Sequence, residues 1–416
     1  MGQAETSREL MERGADRSSR IPKKFFALCA IDFSARTSYN MARTPVLPLF
    51  AAALGAGPAL VGLIIAASTI TGIFLKAPAG AISDHLGRKR TLLVGAAVFG
   101  LMPFFYLLVA RDWQLLPIRF AHGLATAIYG PVVMAAVASI AGARKGELLA
   151  WFSLIKIATN SLGGFLGGGL LYLLAVGGEP TLGDFHEVYA AISGLGLLAL
   201  GIALWLLPRL GEEGRAGAGS IKEIYRKTAR GLVEVVRNLK VLLTSGMEGV
   251  QNMTMGTLHA FLPLYVVGQA GLNVALAGLL WTILTGTSVA AKPLMGRISD
   301  RYGRRSPIIV GMVLCAVPFA LIPLFKAFWV LVLLVILFGL GEAFVTTSTG
   351  ALVADLAEQE ALGTAMGVFG TIADTGQALG PIIIGLLLGW IGYLASFSLL
   401  GGFLLIWTAL FVIRAR

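Results

Sequence analysis

Apolar runs long enough to cross a membrane follow one another along nearly the whole chain, separated by short polar breaks. They lie near 25–54, 59–81, 91–110, 115–140, 148–176, 187–208, 240–267, 274–297, 307–325, 328–353, 362–388 and 392–413. A helix of about 20 residues crosses a hydrocarbon core about 30 Å thick, so the pattern predicts twelve spans. The runs are continuously apolar rather than alternating, which predicts helices and not the strands of a barrel. The longer polar stretches set the domain plan. A polar tail covers 1–24, a first six-helix bundle 25–208, a basic linker 209–239 and a second six-helix bundle 240–413. Within the linker, Ile221, Ile224, Leu232, Val235 and Val236 recur at helical spacing, which predicts an amphipathic helix on the membrane surface.

Composition agrees with this plan. Hydrophobic residues make up 56% of the 416 and charged residues 13%, too little charge to cover a soluble chain of this length. The net charge of +11 raises the question of nucleic acid, but its placement answers it. With the N-terminus inside, only Arg111 and Lys326 fall in outer loops. The other basic residues outside the spans lie in the tail, the inner loops, the linker and the C-terminus. That asymmetry predicts both termini in the cytoplasm and makes the basic residues topology anchors, not a nucleic-acid surface. Cys29 and Cys315 both fall in apolar runs without paired spacing, so neither a disulfide nor a zinc site is expected. The tail lacks the short apolar region and cleavage site of a signal peptide. Its start, MGQAET, matches a myristoylation pattern over six residues, but a solvated tail is the better reading.

The sequence repeats at a spacing of 216 residues. GAISDHLGRKR begins at Gly80 and GRISDRYGRRS at Gly296, so that Gly80, Asp84, Gly87 and Arg88 fall on Gly296, Asp300, Gly303 and Arg304. The same offset puts Lys76 on Lys292, Asp32 on Glu248 and Gly123 on Gly339. Duplicated six-span units with a site between them near the midplane are one way transporters are built. Gly87 suits a helix end that needs positive φ. Gly80 would let a neighbouring helix come close, and Asp84 would satisfy free N–H groups at another helix start.

This double motif resembles the signature of the loop between the second and third helices of the major facilitator superfamily. The resemblance covers the spanning region 25–413 and implies alternating access, with Asp84 locking the inner gate against the eleventh helix. Further along, LLPIRFAHGLATA in the fourth helix is similar to the family's pattern of proton-coupled members. Arg119 and Gly123 stand in place and His122 where Gln is usual. An arginine within a span is by default functional. In the fifth helix, SLGGFLGGGL only partly matches the antiporter signature, because Gly164 replaces the proline and Thr159 the first glycine. The fuller copy, Gly376, Gly380, Pro381 and Gly385, lies in the eleventh helix. Small residues at this spacing let helices pack tightly whatever the direction of transport.

Ten ionisable residues other than histidine sit within the runs: Asp32, Arg36, Arg43, Lys76, Arg119, Lys156, Glu248, Lys292, Glu342 and Asp374. Lys76 and Lys292 are near enough to the inner ends to snorkel to the surface. In the first helix Asp32, Arg36, Tyr39 and Arg43 fall on a stripe roughly 60° wide. In the seventh, Glu248, Gln251, Asn252, Met255 and His259 fall on one roughly 100° wide. Two such polar faces predict a water-filled central cavity, and the family resemblance adds the helices of Arg119 and Glu342 to its lining. Asp32 and Arg36 stand at the i,i+4 spacing of a simple ion pair. A carboxylate beside a guanidinium in a closing cavity also has the makings of a proton carrier, because its affinity for protons changes with its surroundings.

These readings predict an all-α integral membrane transporter, not an enzyme, with no cofactor or metal. It would work as a monomer with a small-molecule substrate, protons and membrane lipids, in a bacterial inner membrane. Asp32, Glu248, Glu342 and Asp374 are the expected proton-coupling acids. Arg36, Tyr39, Arg43, Arg119, His122, Lys156, Gln251, Asn252 and His259 are the expected cavity residues. The chain resembles the drug:proton antiporter branch of the family, which implies export of small organic or drug-like compounds against protons; the alternative is a carrier of anionic metabolites such as organic phosphates or carboxylates.

Overall fold

The computed structural model describes residues 21, 23–141, 144–176, 178–207, 226, 238–357 and 362–414, and for 76–86 and 88 the backbone alone. Most of the tail and of the linker, its amphipathic segment included, therefore lies outside the described residues. What is described is all helical. α1 spans Lys23–Arg43, and after Pro45 the chain resumes as a short helix, Val46–Ala53. There follow α2 (Pro58–Leu86), α3 (Arg88–Tyr106), α4 (Leu115–Ile140), α5 (Lys145–Leu174) and α6 (Leu182–Leu206). Next come α7 (Leu239–Gly268), α8 (Val274–Tyr302), α9 (Arg305–Leu321), α10 (Phe328–Leu356) and α11 (Leu362–Arg414).

Local chemistry explains where these helices start and stop. Thr181 and Asp184 close a capping box at the start of α6, and Asn238 and Asn273 cap α7 and α8 through their side-chain oxygens. Gly87 and Gly303 take φ of 87° and 81°, the positive values that the repeated motif needs between α2 and α3 and between α8 and α9. The predicted first run, 25–54, is broken at Pro45, which cannot donate the next helical hydrogen bond. α11 runs for 53 residues, roughly 80 Å at 1.5 Å per residue and far beyond one crossing. Gly392, with φ 72° and ψ −179°, breaks it into two arms.

Eight of the described helices are long and apolar enough to cross a membrane. α1, α3 and α7 are not among them. α1 carries Lys23, Lys24, Asp32, Arg36 and Arg43, and α3 opens on Arg88, Lys89 and Arg90. α7 is interrupted by Glu248, Gln251, Asn252 and His259. Of these polar residues, Arg36 and Arg43 of α1 and Asn252 and His259 of α7 face the interior between the helices.

Glycines bring several helices into backbone contact. A Cβ at Gly376 would meet the carbonyl of Gly249, one at Gly380 that of Met253, and one at Gly256 that of Gln377, which fuses α7 to α11. Two further seams join the first six helices to the later ones. Between α2 and α11, Gly62 meets the Pro381 carbonyl and Gly385 the Pro58 carbonyl. Between α5 and α8, Gly278 meets the Gly164 carbonyl and Gly168 the Val274 carbonyl. Both seams lie toward the ends of the helices that carry Pro58 and Val274. Outward-facing positions hold large apolar side chains such as Trp329, Trp390, Leu108 and Leu173, as a lipid-facing surface requires.

Candidate functional site

A cavity of about 610 Å³ opens between the helices, lined from α1, α2, α4, α5, α7, α8, α10 and α11. The two glycine seams close it on one side, assisted by Thr44 Oγ1 on His259 Nδ1 at 3.1 Å and Ser161 Oγ on Thr285 Oγ1 at 2.9 Å. Of the sequence-predicted residues, Arg36, Tyr39, Arg43, Lys156, Asn252, His259, Glu342 and Asp374 line the cavity.

Asp32 is fully buried just behind this lining, where both its carboxylate oxygens accept from Arg36 Nε, at 2.8 and 2.9 Å. Arg36 keeps 11% of its side chain accessible on the cavity side. The one-turn spacing therefore makes a real pair with one member at the water's edge. Opposite, Lys292 Nζ lies 3.5 Å from Glu342 Oε1, and both face the cavity. The expectation that Lys292 snorkels to the surface is thus corrected. α8 continues ten residues beyond it to Tyr302, about 15 Å at 1.5 Å per residue, which holds the ammonium at depth. Lys76 lies outside the described side chains.

Besides Asp32, four expected site residues do not reach the lining. Arg119 is fully buried behind Tyr39 and Ser68. Its Nη2 donates to Ser68 Oγ at 2.7 Å and to Tyr39 Oη at 3.5 Å, and the guanidinium carbon sits 5.5 Å from the Tyr39 ring centre. His122, on the same helix face, packs edge-on to Tyr39 and bonds Tyr106 Oη through Nδ1 at 3.4 Å. Gln251 is fully buried away from the cavity. Glu248 turns toward α10, accepting from Thr349 Oγ1 at 2.7 Å and from Asn252 Nδ2 at 3.2 Å. Gln251 sits at one edge of the 100° stripe and so faces neighbouring helices, whereas Glu248 lies near its middle and is drawn aside by Thr349 of α10.

Sequence reasoning missed the neutral polar residues that complete the lining, among them Asn40, Ser68, Thr126, Asn160, Ser288 and Gln377. Their signal was a single polar side chain inside an otherwise apolar run, weaker than a charge. At the repeated motif, Arg304 Nε donates to Asp355 Oδ2 at 3.1 Å and the same guanidinium bonds Asp300, tying the end of α8 to that of α10. A Cβ at Gly296 would meet open space, so no close helix approach explains this glycine. Gly80, Asp84 and Arg88 lie outside the described side chains.

Residues 28–247 and 245–416 match the model of the Major Facilitator Superfamily. An uncharacterized MFS-type transporter of Methanocaldococcus jannaschii is 23% identical over 384 residues, covering 90% of this chain and 93% of the relative. A multi-drug resistance efflux pump PmrA homolog of Lactococcus lactis is 31% identical over 153 residues, 36% of this chain and 38% of the relative. The crystal structure of the nucleoside transporter NupG shares the fold, with a TM-score of 0.77 at 14% identity, covering 95% of this chain and 100% of that one. The chain belongs to the Major Facilitator Superfamily and is a multi-pass integral membrane transporter, not an enzyme.

Proposed function

We propose that the chain is a proton-coupled secondary transporter that exports small organic compounds from the cytoplasm by alternating access. In this reading twelve spans form two bundles, 25–208 and 240–413, joined by the linker 209–239, with both termini cytoplasmic and the protein monomeric in a bacterial inner membrane. Pro58 and Val274 then lie outside, the glycine seams are the closed outer gate, and the cavity faces inward. The observation that carries the coupling is the pair of acid–base contacts at the cavity, Asp32–Arg36 and Glu342–Lys292. Each acid is held by a cation that a conformational change or a solute could draw away, and a carboxylate that loses its cation takes up a proton more readily. Asp374 lines the same cavity and Glu248 sits one layer behind it. Export is favoured by the PmrA homolog, named as an efflux pump.

Proteoliposomes test this directly. Transport is expected to follow an imposed pH gradient and to vanish when the gradient is collapsed. Equal flux without it, or flux driven by sodium, would refute proton coupling.

The duplicated motif adds a second test. Asp84→Asn is expected to abolish most transport while the protein still inserts and elutes as a folded species, because the carboxylate is proposed to latch the inner gate. Wild-type flux in a folded variant would reduce the motif to a basic turn that anchors topology.

A further inference from the structure

The charges around the cavity do not balance locally. Arg36, Arg43, Lys156 and Lys292 face it, against Glu342 and Asp374. Asp32 answers Arg36 and Glu342 answers Lys292. Arg43 has no carboxylate within ion-pair reach among the described residues, and its Nε is buried without a hydrogen-bond partner. The charged or hydrogen-bonding groups beside it are Tyr39, His259 and a second guanidinium, Arg119. Arg119 in turn is answered by hydroxyls, those of Ser68, Tyr39 and Tyr106. One guanidinium thus stands at the closed end of the cavity with a second, that of Arg119, in the layer behind it, and neither has a carboxylate within ion-pair reach among the described residues. At this depth an unanswered charge is expensive, and an incoming group that answers it gains accordingly.

We propose that the transported solute is an organic anion whose charged group docks on Arg43 at the closed end of the cavity. This rests on the transport reading above and names its substrate class. A guanidinium presents a planar fork of donors that matches carboxylate, phosphate or sulfonate oxygens. Within the otherwise polar lining, Met134, Ile157, Met255 and Val289 supply apolar surface for a carbon skeleton. The volume of about 610 Å³ falls in the range, roughly 300–1,000 Å³, of pockets for metabolite- and drug-sized ligands. The position also ties binding to the gate. Arg43 precedes Thr44, whose hydroxyl bonds His259 across the seam, and His259 lines the same cavity. An anion on Arg43 would therefore touch α1 and α7 together where the outer gate closes.

The full-length protein in detergent is titrated with benzoate, phenyl phosphate and benzenesulfonate, each against a neutral counterpart, benzamide or benzyl alcohol, and with tetraphenylphosphonium. Binding is read as a rise in melting temperature and as a change in tryptophan fluorescence, since the Trp281 ring lies 3.9 Å from that of His259. The anions are expected to stabilise the protein and the neutral compounds not. Arg43→Gln should raise the half-saturating anion concentration by roughly 30-fold or more. Arg43→Lys keeps the charge but not the fork, so it should retain the preference for anions with weaker binding. The wild-type contrast between anions and neutral compounds decides the matter even if Arg43→Gln does not fold. Equal binding of benzamide and benzoate, a larger shift with tetraphenylphosphonium, or unchanged benzoate binding in a folded Arg43→Gln protein would each overturn the proposal. Anion binding lost in Arg43→Gln, with anion flux that does not follow the pH gradient, would support it while refuting the proton coupling. Flux of tetraphenylphosphonium driven by the pH gradient, without anion binding, would do the reverse.

Discussion

Asp32→Asn is expected to remove most proton-driven transport and to destabilise the protein by about 3 kcal/mol. The carboxylate is fully buried, and both its oxygens hold Arg36 Nε. Breaking a buried pair by deleting one partner typically costs about 3–5 kcal/mol, because the other charge is left uncompensated. The lower end applies here, since Arg36 keeps an edge accessible from the cavity and can be partly hydrated. Arg36→Gln leaves the carboxylate buried without its cation, a state it escapes by protonation, so this variant should change the pH dependence of transport more than its stability. The double variant Asp32→Asn with Arg36→Gln leaves no charge unanswered. It should melt closer to wild type than Asp32→Asn does, a non-additivity that a double-mutant cycle measures directly. If the double variant is as unstable as the sum of the singles, the pair is not a coupled unit and Asp32 loses its place in the proton path.

That pair was readable in the sequence because helix geometry alone brings residues four apart together. Its counterpart was not. Glu342 and Lys292 sit on α10 and α8, fifty positions apart, and nothing local announces their contact. The depth of Lys292 is hidden for a related reason: the apolar run stops near 297, whereas the helix runs on through polar residues to Tyr302. Hydropathy marks where lipid contact ends, not where the helix ends. The cavity-facing stripes were visible as angles, but an angle does not say which neighbour a face meets. Glu248 and His122 therefore lie on the expected helices yet turn toward Thr349 and Tyr106. The cation excess at Arg43 became visible only once two of the acids were seen to be engaged elsewhere.

The glycine seams carry the other large expected effect. Gly62→Ala and Gly278→Ala should each hold the proposed outer gate ajar and suppress transport, with the fold retained. A Cβ at Gly62 would run into the carbonyl of Pro381, and one at Gly278 into that of Gly164. Both obstacles are backbone atoms within helices, which cannot rotate away as a side chain can. Inserting even one methyl into a contact this tight costs about 1–3 kcal/mol. Only the conformation in which the seam is closed bears that penalty, so the variant shifts the gate equilibrium instead of unfolding the bundle. A penalty of about 1.4 kcal/mol already moves a two-state population tenfold. The shift can be read by placing a cysteine at Thr285, whose hydroxyl bonds Ser161 just beneath the seam, and labelling it with a membrane-impermeant maleimide from the outer side. The two native cysteines are buried and give little background. Labelling should rise about tenfold in either glycine variant, whereas Gly169→Ala, where a Cβ meets nothing within 4 Å, should label and transport like the parent. Unchanged labelling and transport in both seam variants would mean that these contacts open and close without limiting the cycle, and the gate would have to be sought elsewhere.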